Sequence, residues 1–325
     1  MKPTVLLTGS SGRIGKRVLN KLFTRGYRVR ALIHKNKPQG LAAGDVEFVQ
    51  GDILDRNQMI TAAKGIEVIC HLAATFDMFP PVVFEKDNSS LFDNILRGTF
   101  NLLEAARSLS SLKLFVFAST DAVYATGPIR YDSPITEETE IQPMPGRFYA
   151  LAKAVGESLC RNYGKTYAVP WTVIRINWAL EDSELLRIFR YEFWEGDLNA
   201  EDRGRLEPKL GGGKGLLCPL FADGSPAIDQ IADPDDTAEG FALAIDHFDK
   251  GKNNVFNIAA PGPFCYRDFI DRVAAKLGMP YESAVVKGYE PYSISNEKAR
   301  KLLGYEPKHT MELMIEKALK GIDSR

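Results

Sequence analysis

The sequence predicts an α/β fold in which a parallel, doubly wound sheet carries helices on both faces. Short apolar runs rich in valine, isoleucine and phenylalanine alternate with longer amphipathic runs through the first half of the chain. Most of the short runs are continuously apolar rather than alternating, as strands covered on both faces should be. The first of them ends in a glycine-rich turn that opens directly into a helical pattern.

In chain order, strands are expected at residues 4–7, 28–33, 47–50, 68–72, 114–118 and 172–176. Helices are expected between them, at 15–24, 89–108 and 149–163 among others. After Asn177 the rhythm breaks. Residues 181–228 are rich in charge and glycine, including Gly211-Gly212-Gly213-Lys214-Gly215, and read as helix plus irregular loop. A helix and a strand return at about 236–247 and 254–258, and the tail from Phe264 reads as two or three short helices. Residues 1–179 and 229–262 would form the sheet-bearing domain. Residues 180–228 and 263–325 would form a smaller, discontinuous C-terminal lobe.

Length and charge narrow the function. A chain of 325 residues suits two closely packed domains. With 41 basic and 42 acidic residues the net charge is −1, so no global field draws nucleic acid or an anionic membrane. Cys70, Cys160, Cys218 and Cys265 lie far apart without metal-ligand spacing, which predicts reduced thiols, no metal and a cytoplasmic protein. No run approaches the ~20 apolar residues that a membrane span needs. The expected partner is a small molecule.

Thr8-Gly9-Ser10-Ser11-Gly12-Arg13-Ile14-Gly15 joins the first strand to the first helix. Glycines there allow positive φ and close backbone approach, while the helix N-terminus offers N–H groups and partial positive charge to a pyrophosphate. That context predicts a dinucleotide-binding, Rossmann-type domain. In domains of this kind that prefer NAD, an acidic residue ~20 positions further on holds the ribose 2′-hydroxyl. Counting from Gly15 reaches Lys35, with no carboxylate nearby. Arg13, His34, Lys35 and Lys37 would instead surround a 2′-phosphate, which favours NADP over NAD; alternatively they are solvated charges after a strand.

Tyr149 and Lys153 stand four residues apart on one helical face. A tyrosine that titrates near 10 is a poor acid or base at neutral pH. A cation ~4 Å away would favour the phenolate by about 4 kcal/mol at an effective dielectric of 20, bringing Tyr149 into working range. Ser119 and Thr120 follow a buried strand, at the carboxyl end where such folds bind ligands, so a hydroxyl there would hold a substrate oxygen beside the phenol.

With these features the chain resembles the extended short-chain dehydrogenase/reductase family, also called the NAD-dependent epimerase/dehydratase family. The resemblance runs nearly end to end. It rests on residues 8–15, Gly51-Asp52, His71-Leu72-Ala73-Ala74, residues 98–106, Ser119 to Tyr124, Tyr149 with Lys153, and residues 302–307. It implies that Gly9, Gly12 and Gly15 cradle the pyrophosphate, Asp52 and Ile53 contact adenine, and Ala73 and Ala74 line the cofactor cleft. Thr120 would bond the reacting oxygen, Tyr149 would move its proton, and Lys153 would bind the nicotinamide ribose and tune Tyr149. Hydride would pass between nicotinamide C4 and the carbon of a secondary alcohol or ketone. A homodimer built from the helices at 89–108 and 149–163 is also implied.

Four departures from the family pattern bear on the substrate. Ala122 replaces the glutamate that follows the acid in dehydratases, which speaks against sugar dehydration, although Asp121 is present. The segment Ala227-Ile228-Asp229-Gln230 before Asp236-Thr237-Ala238 lacks the arginine with which nucleotide-sugar epimerases pair the pyrophosphate. Arg175-Ile176-Asn177-Trp178-Ala179-Leu180 lacks the usual proline, so Trp178, with Asn177 and Phe76, would line a smaller or more apolar pocket. Finally, Ile95 stands where an asparagine is expected, with Asn94 one place early, which leaves that cofactor contact open. Arg187, Arg190, Arg203 and Arg205 offer another route to phosphate, or are surface charges.

The expected function is an NAD(P)-dependent oxidoreductase acting on a sugar-like or other small carbonyl compound. A nucleotide-sugar epimerase with tightly held NAD is the alternative within the family. A non-catalytic, cofactor-sensing protein is the alternative outside it, and the retention of Thr120, Tyr149 and Lys153 argues against that one.

Overall fold

Seven parallel strands form the centre of the molecule. The computed structural model describes residues 2–37, 46–74 and 89–323. Strands β1 (Thr4–Thr8), β2 (Arg28–Ile33), β3 (Val46–Gln50), β4 (Val68–His71), β5 (Leu114–Thr120) and β6 (Trp171–Ile176) belong to this sheet. After β7 (Leu216–Leu220) and β8 (Ile228–Asp229), strand β9 (Asn254–Ile258) completes it. The order is β3-β2-β1-β4-β5-β6-β9, so the direction of winding reverses between β1 and β4.

Every residue of β5 is buried, as is every residue of β4, because helices cover both faces of the sheet. One face is covered by α1 (Arg13–Thr24), whose Val18, Leu19 and Leu22 turn inward. The other face holds α2 (Arg56–Ala62), α3 (Ser89–Phe92), α4 (Gly98–Ala106) and α5 (Phe148–Tyr167). There Met59, Leu102, Leu103, Cys160 and Tyr163 close a second core. A π-helical turn, Asp93–Arg97, joins α3 to α4.

The inserted segment after β6 contains α6 (Asp182–Leu185), α7 (Tyr191–Trp194) and α8 (Ala200–Lys209). Then α9 (Pro234–Asp246) returns to the sheet beside α1. It starts where the Asp233 carboxylate caps the Asp235 N–H and Pro234 takes a first-turn position that needs no N–H. A short α10 (Phe248–Gly251) precedes β9, and β10 (Phe264–Cys265), α11 (Arg267–Leu277), β11 (Tyr281–Val285), α12 (Glu297–Leu303) and α13 (Met311–Asp323) follow it.

The inserted and C-terminal segments share a core of their own, in which Phe189, Trp194, Leu206, Tyr266, Ile270 and Ile315 are buried together. Ala299, Leu303 and Tyr305 pack instead on the sheet side, with α1 and α9. Residues 181–228 contain more order than their composition suggests. Here β7 pairs in parallel with β11, and β8 pairs antiparallel with β10. Each pairing joins segments tens of residues apart, so neither leaves a local turn signal.

Candidate active site

Two cavities lie along the carboxyl edge of the sheet, next to the β1/β4 switch. The larger, about 570 Å³, is lined by Gly9, Gly12, Arg13, Ile14 and Gly15 on one side and by Thr120, Asp121, Tyr149, Lys153, Asn177 and Trp178 on the other. The second, about 430 Å³, is lined by His34, Lys35, Asp52, Ile53, Ala73 and Asn94. Gly9, Gly12, Leu72 and Ala74 form walls of both.

The glycine turn leaves no room for side chains. Gly9 has φ +72°, and a Cβ on it would stand 2.7 Å from the Ala73 backbone nitrogen. A Cβ on Gly15 would stand 2.0 Å from the Gly9 carbonyl oxygen. Gly12 precedes α1 without a side-chain cap, and the first turn of α1 holds no acidic residue. The resulting cradle of backbone at a helix N-terminus fits the pyrophosphate of a dinucleotide.

At the far end, His34 and Lys35 line the smaller cavity together, opposite Asp52, whose carboxylate is 3.9 Å from the His34 Nε2. The structure does not bring Arg13 and Lys37 to them. Arg13 crosses to the inserted segment, donating to the Ala179 carbonyl at 2.6 Å and pairing with Glu184. The Lys37 ammonium stands over the Phe48 ring, 4.3 Å from its centroid. Asn94 faces the same cavity from the π-helical turn. Such a turn carries one residue more than an α-turn, which accommodates the one-place offset noted in the sequence.

The catalytic half is held by buried polar bonds. The Tyr149 phenol hydrogen-bonds the Thr120 hydroxyl. Thr120 donates to Asp121 Oδ1 at 3.2 Å and accepts from the Ala122 N–H at 3.2 Å. On the other side of the Asp121 carboxylate, Oδ2 accepts from Asn177 Nδ2 at 2.9 Å and from the Trp178 N–H at 3.2 Å. Burial outweighs these bonds and pushes the Asp121 carboxyl up to about 6. The Trp178 ring stacks on Phe193. Phe76 lies outside the described residues.

Lys153 behaves differently from the sequence expectation. Its side chain is buried, and Nζ donates to the Ala118 carbonyl at 2.6 Å while lying 5.8 Å from the centroid of the Tyr149 ring. Burial lowers Lys153 to about 7. Tyr149 is pushed above its ordinary value, by burial first and then by the Asp121 charge. The expected lowering of the phenol by a full lysine charge is therefore absent from this arrangement. A half-neutral ammonium directed at a carbonyl does not offset desolvation.

Sequence reasoning missed two features. Glu157 is fully buried and receives a bidentate bond from Arg175, with distances of 2.9 and 2.8 Å, and a third bond from Ser119 at 2.7 Å. This fork ties α5 to β5 and β6 and so fixes the helix that carries Tyr149 and Lys153. Its signals were present, since Glu157 lies on the same helical face as Lys153 and Arg175 sits inside an apolar strand. Ser119 is engaged there, which leaves Thr120 as the hydroxyl at the phenol.

The second feature, around Asp229, had no local signal. Asp229 Oδ1 accepts from the Tyr292 hydroxyl at 2.7 Å and from the Gln230 N–H at 2.7 Å, and Oδ2 accepts from the Tyr266 hydroxyl at 3.2 Å. Asp229, Tyr289 and Tyr292 line the larger cavity. Arg187, Arg190, Arg203 and Arg205 line neither cavity.

The family model for the NAD dependent epimerase/dehydratase family matches residues 5–179. The chain belongs to this family. It is thus an NAD(P)-dependent enzyme that moves hydride to or from a secondary alcohol or ketone. Among the family's curated members, a UDP-glucose 4-epimerase of Corynebacterium glutamicum is 25% identical, over 94% of this chain and 91% of its own length. A solved short-chain dehydrogenase/reductase superfamily protein from Agrobacterium tumefaciens, with bound NAD, superposes with a TM-score of 0.80. It is 27% identical and the match covers 99% of this chain and 98% of that one. The UDP-glucose 4-epimerase of Thermotoga maritima, at 22% identity and a TM-score of 0.72 over 99% of both chains, shares the fold. Among the described residues no helix is long and apolar enough to cross a membrane.

Proposed function

We propose that this chain is an oxidoreductase that interconverts a secondary alcohol and a ketone on a small hydroxylated substrate, using Thr120, Tyr149 and Lys153. One observation carries the reading: the Tyr149 phenol meets the Thr120 hydroxyl in the same cavity that the glycine turn enters. When bound, the nicotinamide dinucleotide supplies the hydride donor or acceptor. Gly9, Gly12, Ile14 and Gly15 hold its pyrophosphate, Asp52 and Ile53 its adenine, and Ala73 and Ala74 flank it. Thr120 turns its hydroxyl proton from Asp121 to the substrate oxygen. Tyr149 gives that oxygen a proton on reduction and takes it on oxidation. Lys153, poised near neutrality, binds the nicotinamide ribose and exchanges protons at ordinary pH. Asp121, Asn177 and Trp178 bound the substrate space.

Lys35 and His34 at the ribose end support NADP as the preferred form, since an ammonium there favours a 2′-phosphate. Residues 1–179 and 229–262 serve the cofactor, and 180–228 with 263–325 cover the substrate. Phe92, Phe100, Leu151 and Val155 expose apolar surface on α3, α4 and α5, which supports a homodimer through those helices. The four free thiols fit a cytoplasmic location.

The test is Tyr149→Phe. Turnover falls about 10³-fold while cofactor affinity, read by nicotinamide fluorescence, stays within about twofold. Unchanged turnover removes the assignment.

A further inference from the structure

The substrate half of the larger cavity has an unusual hydrogen-bonding character. Asp229 is buried and accepts three hydrogen bonds, from Tyr266, Tyr292 and the Gln230 N–H. Asp121 likewise accepts from Thr120, Asn177 and the Trp178 N–H. The oxygens of both carboxyls are thus taken up as acceptors, while burial raises each group above its ordinary value. A phenol has a single proton. Tyr292 directs its own at Asp229, so only lone pairs remain for a ligand. The Tyr289 hydroxyl is enclosed in the same wall, beside Asp229 and the Tyr266 hydroxyl.

Among the described residues, two of the three cations that line this cavity are committed elsewhere. Arg13 is held by the Ala179 carbonyl and Glu184, and Lys153 by the Ala118 carbonyl. The third, Arg147, lines the cavity from its solvent-exposed side, whereas Asp121 and Asp229 are buried. A nucleoside diphosphate would bring two negative charges and phosphate oxygens that only accept hydrogen bonds. It would meet oxygens already arranged as acceptors where it needs donors. A ligand rich in O–H or N–H groups has the complementary chemistry.

We infer that the substrate is an unphosphorylated, hydroxyl-rich compound, neutral or amine-bearing, whose donors face Asp121, Asp229, Tyr289 and Tyr292, and that nucleoside diphosphate sugars are excluded. This rests on the reading that the cleft binds a nicotinamide dinucleotide and reacts at Tyr149. It converts the missing arginine of the 227–230 segment into a positive statement: the same segment contributes a buried carboxylate to the pocket.

The experiment titrates UDP-glucose into the cofactor-loaded protein by calorimetry, alongside a panel of free aldoses, cyclitols and amino sugars assayed for nicotinamide absorbance. Expected are no saturable binding of UDP-glucose up to about a millimolar and nicotinamide turnover with unphosphorylated members of the panel. Saturable UDP-glucose binding in the micromolar range overturns the inference. Asp229→Asn keeps the shape and replaces an acceptor oxygen by a donor amide, so UDP-glucose should bind it at least tenfold more tightly than the wild type; equal affinity also overturns the inference. If that variant does not fold, the wild-type titration still decides. Cofactor fluorescence on the same samples separates the two claims. Loss of cofactor binding counts against the reading of the cleft, whereas intact cofactor binding with tight UDP-glucose counts against the substrate class alone.

Discussion

The two halves of the cleft are built from different materials. At its pyrophosphate end the cofactor half consists of backbone and small residues: Gly9 lies against Ala73 and Gly15 against Gly9. The substrate half consists of buried titratable groups, with Asp121, Tyr149, Lys153 and Asp229 all displaced from their ordinary values chiefly by desolvation. Backbone geometry follows from residues adjacent in the chain. A shifted proton equilibrium follows from burial by elements far apart. The first half therefore recognises a constant ligand with fixed shape, while the second holds the chemistry, at a cost to stability.

Four substitutions probe the two halves of the cleft separately, in order of decreasing effect. Gly15→Ala forces a Cβ into the Gly9 carbonyl, and should abolish cofactor binding and cost about 3 kcal/mol in urea unfolding. A variant that keeps both would show the turn to be more pliable than its geometry. In the other half, Asp121→Asn should remove a pH dependence. The folded pKa of about 6 lies above the ordinary carboxylate value of 3.8, so its stabilising contribution is full below that value and is lost as pH rises through 6. The shift is worth at most about 3 kcal/mol at neutral pH. The wild type should therefore lose stability between about pH 4 and pH 7 in a way the variant does not, as read by thermal unfolding across that range.

Lys153→Met should separate stability from activity. The folded pKa of about 7 lies below the ordinary value of 10.5, so the unfolded chain holds the proton more tightly between those values. Removing the amine should raise stability at neutral pH by about 1–2 kcal/mol while turnover falls at least about 100-fold. The gain should shrink as pH rises toward 10.5. A loss of stability would mean that the bond to the Ala118 carbonyl outweighs desolvation. The smallest effect belongs to Lys35→Ala, which should weaken NADP about tenfold and leave NAD nearly unchanged in a fluorescence titration. Equal weakening of both would remove the argument for the 2′-phosphate.

The comparison also explains what the sequence could and could not disclose. The sheet was legible because each strand announces itself locally: β2 and β9 fall on the residues expected, and β5 merely runs on to Thr120. The glycine turn and the Tyr149/Lys153 spacing were legible for the same reason. The pairings of β7 with β11 and β8 with β10 were not, because only long-range contact makes those segments strands. Arg13 and Lys37, grouped with Lys35 by proximity in sequence, are engaged instead by Glu184 and Phe48.

By itself, then, the sequence determined the winding of the sheet, the cradle at the end of β1 and the Tyr149/Lys153 spacing on one helix, since periodicity, turn geometry and helical spacing are properties of neighbouring residues. The tertiary structure alone decided the charge those side chains carry and where they direct their hydrogen bonds. Lys153 turns to Ala118 and Asp229 gathers two tyrosine hydroxyls because desolvation and partners brought together from remote segments set proton affinity.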